Sequence, residues 1–140
     1  MVVTNIRQAI PLAVECINKA HQNDSVSDIK PANQKRHYFI MTGNGLTYWL
    51  LYKREFFRSF GKIFGYKGCG ESINKEWVEC AIDNYEITAF IFVYPKGYVY
   101  IIPPLEIKKF AENNNTIRKT KSGETTYSVP ISFLRRWRVR

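Results

Sequence analysis

A chain of 140 residues with 21 Lys plus Arg against 12 Asp plus Glu carries a formal net charge of +9 and a pI of about 9.6. That length sets one domain, residues 1–140, long enough to bury a core without disulfide or metal staples, and an aromatic content of 15% excludes wholesale disorder. Three Cys without a CxxC pair, and two His remote from them, argue against a structural zinc site; unpaired thiols fit a reducing, cytoplasmic setting.

Residues 3–20 place Ile6, Ile10, Ala13, Val14 and Ile17 at helical spacing, with Pro11 as a kink or the true start. Arg7 and Glu15 interrupt the apolar run and no basic leader precedes it, so it reads as neither a signal peptide nor a membrane span. Residues 21–35 are polar and read as a flexible loop. RHYFIM and LTYWLLYK flank Asn44-Gly45, the signature of an antiparallel hairpin. Phe56, Phe57, Phe60 and Phe64 predict a short helix within 53–65, ending near Gly61 or Gly65. A glycine-rich loop at 66–72 then leads into a helix over 72–83, with Ser72 as N-cap and Ile73, Trp77, Cys80 and Ala81 on one face.

Residues 87–94 and 98–103 form a second hairpin around Pro95-Lys96-Gly97, the first strand apolar throughout and so covered on both faces. Pro104 opens a helix over 104–114. Segments 116–121 and 124–129 around Ser122-Gly123 give a third hairpin, and PISFLRRWRVR ends the chain as a helical turn. The order α-ββ-α-α-ββ-α-ββ-α describes an α+β fold: a single mixed or antiparallel sheet built from hairpins and flanked by helices. Exposed hairpin edges are compatible with a homodimer.

The charge is uneven. Residues 108–140 hold Lys108, Lys109, Arg118, Lys119, Lys121, Arg135, Arg136, Arg138 and Arg140 against Glu112 and Glu124, a segment of +7. Lys53, Arg54, Arg58, Lys62 and Lys67 against Glu55 add +4, leaving −2 for the rest. Clustered bases of this kind are the footprint of phosphate binding. Arg54, Arg58, Lys62, Lys67, Arg118, Lys119, Lys121, Arg135, Arg136 and Arg138 are therefore the candidate nucleic-acid contacts. Phe56, Phe57, Tyr66, Tyr127 and Trp137 lie among them and could stack on unpaired bases or simply fill the core. Gly65, Gly68 and Gly70 before Ser72 could cradle a phosphate, although GYKGCGES is neither a Walker loop nor GxGxxG.

Phosphodiester hydrolysis needs carboxylates around a divalent ion, often with a lysine near the phosphate. Glu55, Glu71, Glu76, Glu79, Asp83 and Glu86 offer carboxylates, and Lys53 closes an apolar strand. A helix, strands, a helix and more strands on a small basic chain resemble the restriction-endonuclease-like PD-(D/E)XK nuclease superfamily. In LTYWLLYK, Lys53 coincides with the last position of its Glu-x-Lys motif, while Leu51 stands where the Glu belongs and neither strand holds the Asp. The resemblance covers residues 36–103. It implies Mg²⁺ held by Glu55 or Glu71, with Lys53, Glu55 and Glu71 as the catalytic set, or a silent relative if neither serves.

Three readings follow: a nucleic-acid-binding protein, DNA ahead of RNA, without catalysis; a Mg²⁺-dependent endonuclease or junction resolvase; and a protein-interaction module whose basic tail docks on an acidic partner or membrane.

Overall fold

The structure is a computed structural model that describes residues 2–21, 23–32 and 37–140. Its elements are α1 (Ile6–Ala20), β1 (Val26–Pro31), β2 (His37–Thr42), β3 (Thr47–Tyr52), α2 (Phe60–Phe64), β4 (Gly70–Asn74), α3 (Lys75–Asp83), β5 (Ala89–Val93), β6 (Val99–Ile102), α4 (Pro104–Asn114), β7 (Ile117–Lys119), β8 (Thr125–Pro130) and α5 (Ile131–Arg135). The α+β class holds, with two sheets in place of one: a mixed five-stranded sheet in the order β1-β2-β3-β5-β6, and a three-stranded sheet in the order β4-β8-β7. The chain groups into two compact units. The first comprises 1–55, 87–101 and 138–140, the second 56–86 and 102–137.

In the first unit, β1, β2 and β3 form an antiparallel meander and β5 joins β3 in parallel. Gly45, at φ 89°, allows the tight β2–β3 turn, in which Gly45 N–H donates to Thr42 C=O at 3.1 Å. One sheet face presents Ile40, Tyr48, Leu50, Ile91, Val93 and Val99 to Ala9, Leu12, Ala13, Cys16 and Ile17 of α1. Each large aliphatic side chain buried there contributes about 1.5–3 kcal/mol. The buried stripe of α1 is displaced from the expected one: Leu12 and Cys16 point inward, and Ile6 and Ile10 flank the core. Pro11 lies on the exposed side, where the carbonyl it leaves unpaired meets water, so the helix continues through it. On the opposite sheet face Phe39, Trp49, Phe90 and Phe92 make a chain of rings 5.3–6.2 Å apart.

Part of the expected loop at 21–35 is a strand. β1 has five of its six residues exposed, so it carries no hydrophobic alternation to reveal it. It is a blunted edge. Ala32 N–H bonds inward to His37 C=O, which turns Pro31 and the Ile29 N–H outward; Pro31 has no donor, and Asp28 Oδ1 takes the Ile29 N–H at 2.9 Å. The other edge, at β6, is paired: Val139 N–H donates to Val99 C=O at 2.8 Å and Val99 N–H to Arg140 C=O at 3.0 Å. Residues 22 and 33–36 of the expected loop lie outside the described residues.

In the second unit, the predicted helix at 72–83 begins later, as α3, and Asn74 rather than Ser72 caps it, Oδ1 accepting from Glu76 N–H at 2.8 Å. Residues 70–74 are instead β4, drawn into a strand by pairing with β8, Ser72 opposite Ser128 and Ile73 opposite Tyr127. The expected 53–65 helix is reduced to α2; Phe57 precedes it and bridges to Gly70. The third hairpin, β7–β8, and α4 stand where the sequence places them.

Candidate nucleic-acid interface

The +7 segment is not one patch. Arg138 and Arg140 belong to the first unit, and the other seven bases to the second. The first unit holds ten bases against four acids and the second eleven against eight, so the excess charge concentrates in the first.

Within the first unit the charges are sorted by strand direction. Parallel pairing of Tyr52 with Val93 brings the C-terminal ends of β3 and β5 together. Lys53 follows β3 there, its N–H bonded to Val93 C=O at 2.9 Å, and Arg54 and Glu55 come next, both exposed. The tight turn after β5, closed by Tyr94 N–H to Tyr98 C=O at 3.0 Å, presents Lys96. The leading segment of α1 is pinned to the same end, Val3 N–H to Pro95 C=O at 2.7 Å and Tyr52 Oη to Val3 C=O at 2.8 Å, which places Arg7 of the first helical turn nearby. Arg138 sits over the Tyr98 ring at 4.3 Å. Arg7, Lys53, Arg54, Lys96 and Arg138 thus share one end of the unit with Glu55. Asp24 and Asp28 lie toward the other end, where Asp24 Oδ1 accepts from Asn44 N–H at 3.0 Å and Asp28 pairs with Met41 beside the β2–β3 turn. Lys96 and Arg7 escape a reading by charge runs because each is isolated in sequence; only the sheet register collects them.

Lys53 is half-buried, its Nζ 5.3 Å from the Phe92 ring centroid. The buried His37, opposite Leu51 in the register, accepts a hydrogen bond at Nδ1 from Trp49 Nε1 at 3.2 Å, so its ring proton sits on Nε2. Burial first, and then the Lys53 charge, push its pKa down to about 4, and the imidazole is neutral at pH 7. Leu51, two residues before Lys53, is 2% exposed and brings no carboxylate.

In the second unit Gly70↔Pro130 marks one end of the small sheet. Lys62 on α2 and the exposed Lys67 gather there, joined by Gly61 N–H to Gly68 C=O at 3.1 Å, and α5, bearing Arg135, is fastened by Ile131 N–H to Cys69 C=O at 2.9 Å. Arg136 follows α5; Arg58, Arg135 and Arg136 are exposed. Arg118 lies over Phe57 at 5.6 Å. Lys119 and Lys121 stand at the other end, by the hairpin tip. There a groove of about 560 Å³ is lined by Glu76, Glu79, Asp83 and Glu124 with Lys75 and Cys80.

In the glycine loop the close packing falls on Gly70. The loop feeds a strand, and a Cβ on Gly70 would lie 2.2 Å from Val129 C=O and 2.7 Å from the Phe60 ring. Glu71 is 7% exposed in β4, Oε1 accepting from Ser72 N–H at 3.3 Å, and belongs to the second unit; Glu55 belongs to the first. Among the described residues no group of three or more His, Cys, Asp or Glu could hold a metal ion. Of the aromatics offered for base stacking, Tyr127 is 1% exposed and bonds Glu79 at 3.2 Å. Trp137 turns its Nε1 inward, where it is buried. Phe133 and Leu134 pack while the arginines after them face solvent. No helix among the described residues is long and apolar enough to cross a membrane.

The chain matches no protein-family model, no curated protein and no solved structure.

Proposed function

We propose that this protein binds nucleic acid through backbone phosphates and that the basic end of the first unit is its principal contact. The observation that carries this reading is the convergence of Arg7, Lys53, Arg54, Lys96 and Arg138 where the parallel strands β3 and β5 end. Loops beyond the carboxyl ends of parallel strands are where α/β sheets take ligands, and clustered cations there raise the local concentration of a polyanion. Arg58, Lys62, Lys67, Arg135 and Arg136 give the second unit a further basic end. The test is fluorescence anisotropy on labelled DNA duplexes and single strands, with RNA alongside, across a salt series. Five phosphate contacts give a log–log slope of about −4.5, and affinity falls about 500-fold between ~50 and ~200 mM salt. A flat response, or no binding at the lowest salt, refutes the reading.

A second reading, the PD-(D/E)XK nuclease, draws support from the order of helix α1, the β1-β2-β3 meander and β5 parallel to β3, with Lys53 at the end of the third strand. Against it stand the buried Leu51 and the position of Glu71 in the second unit. Binding therefore ranks ahead of cleavage.

A further inference from the structure

The bases at the end of the first unit are not equivalent. Lys96, Arg54, Arg7 and Arg138 are all exposed, and a cation on a free side chain contacts phosphate as a mobile charge. Arg138 is held. Its backbone is paired to the β6 edge, by the Tyr100↔Arg138 bridge and by Val139 N–H to Val99 C=O. Its guanidinium lies 4.3 Å over the Tyr98 ring, and Nε donates to Arg140 C=O at 3.0 Å. Ring and carbonyl together restrict where the guanidinium sits. Arg140, next along, is tied away by its own ion pair, Nη1 to Glu15 Oε2 at 3.2 Å. Among the described residues the structure gives the Arg138 Nη1 and Nη2 groups no partner, and these are the donors that span two oxygens of one phosphate.

We infer that Arg138 is the pre-set bidentate phosphate contact of this surface, its side-chain entropy already lost before the ligand arrives, and that Tyr98 is the residue that positions it. The ligand group is a single phosphodiester with both non-bridging oxygens free, which every nucleic-acid backbone supplies. This rests on the nucleic-acid reading of the same surface and goes beyond it by assigning geometry, not only charge, to one residue.

The test compares charge-preserving substitutions in the full chain on one DNA duplex. Arg138→Lys keeps the charge and loses the fork, so affinity drops about tenfold with the salt slope unchanged. Arg54→Lys exchanges one free cation for another and loses at least fivefold less than Arg138→Lys. Tyr98→Phe keeps the ring and wild-type affinity; Tyr98→Leu removes the platform and matches Arg138→Lys. Thermal melts confirm that each variant is folded, and Tyr98→Phe against Tyr98→Leu decides the matter even if Arg138→Lys loosens the β6 edge. Equal losses for Arg138→Lys and Arg54→Lys, or equal affinities for the two Tyr98 variants, overturn the inference while leaving nucleic-acid binding intact. Wild-type protein that binds no nucleic acid overturns both.

Discussion

Acid should destabilise this protein through one histidine, and the effect can be worked from the site. His37 is 8% exposed, and burial together with the Lys53 charge lowers its pKa from the ordinary 6.5 to about 4. In the unfolded chain the ring takes up a proton near 6.5; in the native chain it stays neutral until about 4. Stability is therefore whole above pH 6.5 and falls as the pH drops between those values, at about 1.4 kcal/mol per pH unit and about 3 kcal/mol in all. The perturbation is His37→Asn, which does not titrate and keeps an acceptor for the Trp49 indole. Urea unfolding followed by tryptophan fluorescence at pH 7, 5.5 and 4.5 should show the wild type losing about 2.5 kcal/mol more than the variant over that span. Lys53→Met, which removes the neighbouring charge, should raise the native pKa and shrink the wild-type loss. If His37→Asn loses stability with pH as steeply as the wild type, the histidine is not buried in neutral form and the local geometry is wrong.

The close approach at Gly70 predicts that Gly70→Ala, forced against Val129 C=O and Phe60, costs about 3 kcal/mol in urea unfolding; a loss under about 1 kcal/mol would mean that β4 and β8 separate easily. The blunted β1 edge predicts that Asp28→Ala combined with Pro31→Val, which frees one outward N–H and creates another, drives concentration-dependent self-association in sedimentation velocity; profiles identical to wild type would count against it. With Leu51 in place of a glutamate, plasmid, hairpin and branched DNA should stay intact with Mg²⁺ or Mn²⁺. Cleavage abolished by both Lys53→Ala and Glu71→Ala, with binding kept within about tenfold, would instead establish the nuclease reading.

The local devices of this fold are written in its sequence. Asn44-Gly45 and Ser122-Gly123 specify hairpins because their turns need positive φ, and both glycines adopt it. The helix opened by Pro104 and the wholly apolar strand β5 need only composition and period to be recognised. The excess of positive charge is likewise a property of the chain itself. Other features depend on residues remote in sequence. β1 is polar because it is an edge, and it is a strand only because β2 lies beside it. Residues 70–74 carry the signature of a glycine loop before a helix, and pairing with β8 overrides that local preference. The charge runs at 53–67 and 108–140 point to a polyanion, but which bases act together is a matter of strand register. Parallel pairing of β3 with β5, across the 36 residues between Tyr52 and Ala89, brings Lys53 and Lys96 to one end of the sheet, and the last three residues, returning to β6, add Arg138. Chain order gives the amount of charge, and the non-local hydrogen bonds of the sheet decide where it faces.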